Sequence, residues 1–164
     1  MPARAGIPIV LALLLGAVVW SSGAGAGSAA SLVVRDPDGR ELLRAVVRAG
    51  DPVVLRYRNS LYGSLAEERF VVEGRSIRLV ELAADERAVL DEYYETVGGA
   101  AALPASARAW RASPRTPLAL TSLAIAATDL GGRTLLLRGH PPLELWRFVD
   151  DGRPTVVLTL EPPG

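Results

Sequence analysis

From Ser31 to Leu160 the chain is written in short apolar runs whose hydrophobic side chains recur at every second position. Glu41 to Ala49 sets the pattern, with Leu43, Ala45, Val47 and Ala49 on one side and Arg44 and Arg48 on the other. A strand sends successive side chains to opposite faces, whereas a helix repeats every 3.6 residues. A period of two therefore selects strands with one face buried.

The same alternation continues along the chain. Val53, Leu55, Tyr57 and Asn59 share a face opposite Val54, Arg56 and Arg58. Glu68, Phe70 and Val72 then share a face opposite Glu67, Arg69, Val71 and Glu73. Ser31–Asp36 and Glu41–Ala49 flank Pro37-Asp38-Gly39, a turn sequence, and form a predicted hairpin. Gly50-Asp51-Pro52 and Glu73-Gly74-Arg75 interrupt the chain again, and Ser76–Leu82, Thr134–Arg138 and Thr155–Leu160 are further strands.

Other segments carry weaker patterns. Asp85 is placed to cap a helix bearing Val89, Leu90, Tyr93 and Tyr94. Val97–Pro117, rich in Gly, Ala and Pro, reads as a loop with Trp110 anchoring it to the core. Leu118–Thr128 suits a strand or a helix, with its place between Pro117 and Asp129 favouring a strand; Gly131-Gly132 reads as a hairpin turn, and Pro141-Pro142 as the opening of a short helical piece, Leu143–Val149. The expected fold is mainly β: one small β-sandwich or barrel-like domain of about seven to nine strands with one or two short helices.

Residues 1–30 have the composition of a targeting segment. Arg4 precedes an apolar run, Ile7–Trp20, and the tail Ser21–Ala30 consists of Ser, Gly and Ala. That run fits the roughly 7–15 residues of a signal-peptide core better than the roughly 20 of a membrane span. Ala24-Gly25-Ala26 and Ser28-Ala29-Ala30 both suit cleavage, and an uncleaved amino-terminal anchor is the alternative. Residues 31–164 are then the exported domain, periplasmic or tethered to the outer face of the inner membrane.

Composition removes several chemistries. No cysteine is present, which excludes thiol catalysis, disulfides and thiolate metal sites. The 18 basic residues, all arginine, balance 18 acidic ones, and no basic cluster offers a footprint for nucleic acid. His140 is the sole histidine and lies between Gly139 and Pro141, with no G-x-S-x-G elbow to serve. Neither Asp150-Asp151 nor Glu67-Glu68 has calcium-loop spacing, so no metal or other cofactor is expected.

Tyr57–Phe70, Y-R-N-S-L-Y-G-S-L-A-E-E-R-F, is where polar groups intrude on an apolar face. Alternation separates Glu67 from Glu68 and rules out a carboxylate dyad. Matching apolar faces pairs Leu55 with Val72 and Tyr57 with Phe70, which sets Asn59 opposite Glu68. Asn59 and Glu68, with Tyr57 and Ser60 beside them, are the candidate site. Two readings stay open: a clasp that fixes the loop Leu61–Ala66, or the lining of a pocket for a polar ligand.

Tyr57-Arg58-Asn59-Ser60-Leu61 followed by Glu67-Glu68-Arg69-Phe70 resembles the Tyr-x-His-Ser-Val … Glu-x-aromatic signature of the exported bacterial family called domain of unknown function 1850. Gly98–Pro104 is similar to that family's Gly-Ala-Gly-Leu-Pro segment, and Val156-Val157-Leu158 fits its ending. The resemblance implies a small exported protein encoded beside TAXI-type TRAP transporters. It also implies an accessory part in solute uptake, with the permease or the solute-binding protein as partner. Asn59 departs from the family's histidine, so a titrating or metal-ligating role at that position is lost while hydrogen bonding survives. Three functions are expected in order: a non-enzymatic accessory protein, a small-ligand-binding module built on Tyr57, Asn59 and Glu68, and, remotely, a hydrolase using Glu68.

Overall fold

The computed structural model describes residues 29–93, 96–102, 108–117 and 119–164. The expected targeting segment, apart from its last two residues, lies outside them. So do Tyr94 and part of the Gly98–Pro104 motif. Among the described residues the chain forms two antiparallel sheets and one short α-helix. The fold is a β-sandwich-like domain and not a closed barrel.

The smaller sheet contains β1 (Ala30–Arg35), β2 (Glu41–Val47), β9 (Ser122–Ala126) and β12 (Thr155–Glu161), in the order β2-β1-β12-β9. The larger one contains β3 (Pro52–Arg58), β4 (Leu65–Glu73), β5 (Ser76–Ala84), β6 (Thr96–Ala102), β7 (Trp110–Pro114), β8 (Ala119–Leu120), β10 (Thr134–Leu137) and β11 (Leu143–Glu144). Its order is β11-β10-β3-β4-β5-β7-β6, with β8 pairing the first part of β5 and β7 the last. Leu32, Val34, Ile125, Val156 and Leu158 from the first sheet and Val53, Leu55, Phe70, Val72, Leu82 and Leu135 from the second belong to one buried cluster. Those are the inward positions that alternation marks.

The predicted hairpin Ser31–Ala49 forms, and the strands after it occupy the runs expected of them. Helix α1 (Arg87–Tyr93) forms as well, burying Val89 and Leu90. Asp85 stands two residues outside it, with its carboxylate held by Arg108 Nη1 at 2.8 and 3.0 Å.

Several expectations are overturned. Val97–Pro117 is not mainly loop, because β6 and β7 pair with each other and β7 pairs with β5. Trp110 opens β7 and packs against the core, as an anchor should. Gly131-Gly132 does not close a hairpin: β9 lies in the smaller sheet and β10 in the larger, so the turn carries the chain between sheets. Leu143–Val149 splits into β11 and one turn of 3-10 helix, η1 (Leu145–Phe148), with Leu145 fully buried. The strands number twelve among the described residues, the excess over the expected count coming from β6, β7 and two-residue strands.

The β3–β4 register is the correction that matters for the site. Tyr57 faces Ala66 and Leu55 faces Glu68, four positions nearer the turn than apolar matching suggests. An even shift leaves every side chain on its face, so alternation does not distinguish the two registers. The turn decides instead. The Asn59 amide donates to the Ser64 carbonyl (2.8 Å) and the Gly63 amide to the Asn59 carbonyl (2.8 Å), which closes a tight connection. Asn59 and Glu68 are therefore not cross-strand neighbours.

Candidate binding cleft

Asn59 is buried at the end of β3, and its side chain organises the turn that follows. Its Oδ1 accepts from the Leu61 and Tyr62 amides, each at 3.0 Å. This is an Asx-type turn, in which a short side chain replaces a backbone acceptor. Gly63 completes it at φ +64°, a left-handed conformation that costs residues with a Cβ about 1–2 kcal/mol.

The turn faces a second one, between β9 and β10. There the Gly132 amide donates to the carbonyls of Thr128 and Asp129, both at 3.1 Å. The Arg58 amide donates to the Gly131 carbonyl at 2.7 Å and ties the two turns together. Between them lies a cleft of about 260 Å³, with Tyr57, Arg58, Asn59 and Ser60 on one wall and Ala126, Thr128, Leu130, Gly131 and Arg133 on the other.

Tyr57, Asn59 and Ser60 thus come together at one opening. Glu68 is not among the residues that line it; it sits mid-strand between Leu55 and Leu82 in the flanking strands. Arg133, far from Tyr57 along the chain, carries no local signal of a role here. Its guanidinium lies over the Tyr57 ring, 4.5 Å from the centroid, and its carbonyl accepts from the Leu145 amide at 2.9 Å. Both ends of the residue are anchored.

The cleft is lined by two arginines. Arg58 Nη1 donates to the Gly63 carbonyl at 2.6 Å, a neutral partner, and Arg133 stacks on an aromatic ring. Among the described residues neither makes an ion pair and no carboxylate belongs to the cleft lining.

A larger, shallower groove of about 580 Å³ lies between the β1–β2 turn and the segment entering β12. Its charged groups are already satisfied. Arg35 holds Glu161 at 2.7 Å, Arg153 holds Asp38, and Asp36 Oδ1 accepts from the Asp38 and Arg40 amides. Volume favours the groove, but open recognition groups favour the cleft.

Glu67 has a separate place on the outer face of the larger sheet. It is buried and faces Arg56 across the ladder. Arg56 Nε reaches Oε1 at 3.0 Å, Arg69 Nη2 reaches Oε2 at 2.8 Å, and Arg108 Nε lies 3.6 Å from Oε1. Arg69 continues to Glu81 and Arg108 to Asp85. Burial pushes the Glu67 pKa up, but hydrogen bonds and charge from Arg69 and Arg56 outweigh it and hold the carboxyl below its ordinary value. A carboxylate locked in this way by three arginines is a structural tie and unsuited to proton transfer.

His140 is exposed on the bend after β10, and among the described residues no three His, Cys, Asp or Glu side chains converge as metal ligands. No family model, curated protein or solved structure matches the chain. Fold and site together define a β-sandwich-like domain with a small arginine-bearing cleft between two inter-strand turns.

Proposed function

We propose that the chain is an exported, non-catalytic module that binds a small polar ligand in the cleft between the Asn59 and Gly131 turns. The observation that carries this reading is the convergence of Tyr57, Asn59 and Ser60 with Arg58 and Arg133 around one opening. Concave sites with a few convergent polar groups are where small ligands bind. Glu68 is outside that lining, so the hydrolase reading loses its acid or base. Thermal-shift screening with organic anions, amino acids and neutral polyols tests the proposal. A stabilisation that vanishes in Ser60→Trp, which fills the opening, supports it, and a flat response across the panel sinks it.

A second reading makes the protein an accessory of a TAXI-type TRAP uptake system. It rests on the resemblance of Tyr57–Leu61 and Glu67–Phe70 to the exported family, and on Leu61 and Leu130, large apolar side chains left exposed on the two turns that form the cleft. Exposed apolar groups beside a polar opening suit contact with another protein. Co-purification with the permease or its solute-binding protein, abolished by Leu61→Asp, checks this reading.

A further inference from the structure

We infer that the cleft selects a small anion, a carboxylate or phosphate of fewer than about ten heavy atoms; this rests on the binding-module reading above. Size is the first ground. At about 30 Å³ per water, 260 Å³ holds roughly nine, below the roughly 300–1,000 Å³ of sites for drug-sized molecules.

Charge is the second ground. Of the described residues that line the opening, Arg58 and Arg133 are cationic and none is anionic. Arg133 holds its guanidinium carbon over the Tyr57 ring at 4.5 Å, a cation–π contact that spends none of its N–H donors on a carboxylate. A guanidinium is a planar fork matched to the paired oxygens of a carboxylate or phosphate. The ring also removes rotameric freedom from a long side chain, so the fork is pre-organised.

The remaining lining fits the rest of such a ligand. The hydroxyls of Ser60 and Thr128 add donors, and Leu130 and Ala126 offer apolar surface to a short carbon skeleton. By contrast, the arginines of the larger groove are already paired with carboxylates of the chain. An anion entering there would have to displace them.

The test is titration of the full chain, purified from the envelope, with succinate, inorganic phosphate and the neutral isostere succinamide. Amide resonances of Ser60, Thr128 and Gly131 report the site. Shifts at those amides with succinate or phosphate are expected, together with affinity at least about tenfold weaker in Arg133→Gln, as loss of a charge-assisted bond predicts. Arg133→Lys should recover part of it, and Arg153→Gln in the other groove should change nothing. If Arg133→Gln does not fold, Arg58→Gln gives the same comparison. Succinamide binding as tightly as succinate overturns the anion class and leaves the module reading standing. Silence of those amides to every compound overturns both.

Discussion

Both Nε and Nη2 of Arg69 donate to one oxygen of Glu67, at 3.1 and 2.8 Å, from two positions along the same strand. Arg56, opposite in the ladder, takes the other oxygen at 3.0 Å. Glu67 is 6% exposed, whereas the side chains of Arg56 and Arg69 are 42% and 32% exposed. Removing the glutamate therefore leaves cations that water can reach. The expected cost of Glu67→Ala is about 1–3 kcal/mol, below the loss for a fully buried pair. Arg56→Ala should cost under about 1 kcal/mol, as exposed pairs do. Urea midpoints at constant m-value measure both, and equal costs would show that the carboxylate is not the hub.

Acid should act through the same residue. The folded-state pKa of Glu67 is depressed, so its stabilisation is complete above the unfolded value, about 4.3, and is lost as pH falls through the lower folded value. Glu161, half-buried and held by Arg35, and Glu73, exposed and held by Arg78, shift the same way but lie where salt screens them. Unfolding free energy should be flat from pH 7 to about 5 and decline below it. In 0.5 M salt, Glu67→Gln should flatten much of that decline. A decline identical to the parent's would remove Glu67 from the account.

The strands up to β5 were legible because each buries one face and the pattern has period two. Their pairing was less so. Tyr57 opposite Phe70 and Tyr57 opposite Ala66 satisfy the same alternation, and only the hydrogen bonds of Asn59 choose between them. A tight turn starting at Asn59 sets Glu67 opposite Arg56, which is where the ion pair forms. β6 and β7 were hidden because Gly, Ala and Pro have low strand propensity, and the ladder with β5 supplies what composition does not. Tyr57, Asn59 and Ser60 were found because they break an apolar face. Arg133 was not, because nothing local to Gly131–Thr134 states that its turn crosses to the other sheet and comes to rest on Tyr57.

Leu145 offers a check on the segment expected as a short helix, which forms β11 and one turn of 3-10 helix. It is fully buried while Phe148, three residues on, is 37% exposed. Leu145→Ala should cost about 2–5 kcal/mol and Phe148→Ala under about 1 kcal/mol, the difference being the cavity left in the core. Because the Leu145 amide also donates to the Arg133 carbonyl, the first substitution should broaden the Arg133 amide resonance and the second should not.

Asn59 links stability to the cleft. Its Oδ1 satisfies the amides of Leu61 and Tyr62, and the residue is buried. Asn59→Ala strands both donors and should cost about 1–3 kcal/mol. Asn59→Asp keeps an acceptor at the same reach, so it should cost less and restore slow exchange at both amides. Its added negative charge, however, sits in the cleft with Arg58 and Arg133 and competes with any anion for them. Asn59→Asp should thus hold the turn while weakening succinate binding, and Asn59→Ala should loosen the turn. Hydrogen exchange at Leu61 and Tyr62 separates the two effects. If Asn59→Asp binds succinate as the parent does, the charge of the cleft is not what selects its ligand.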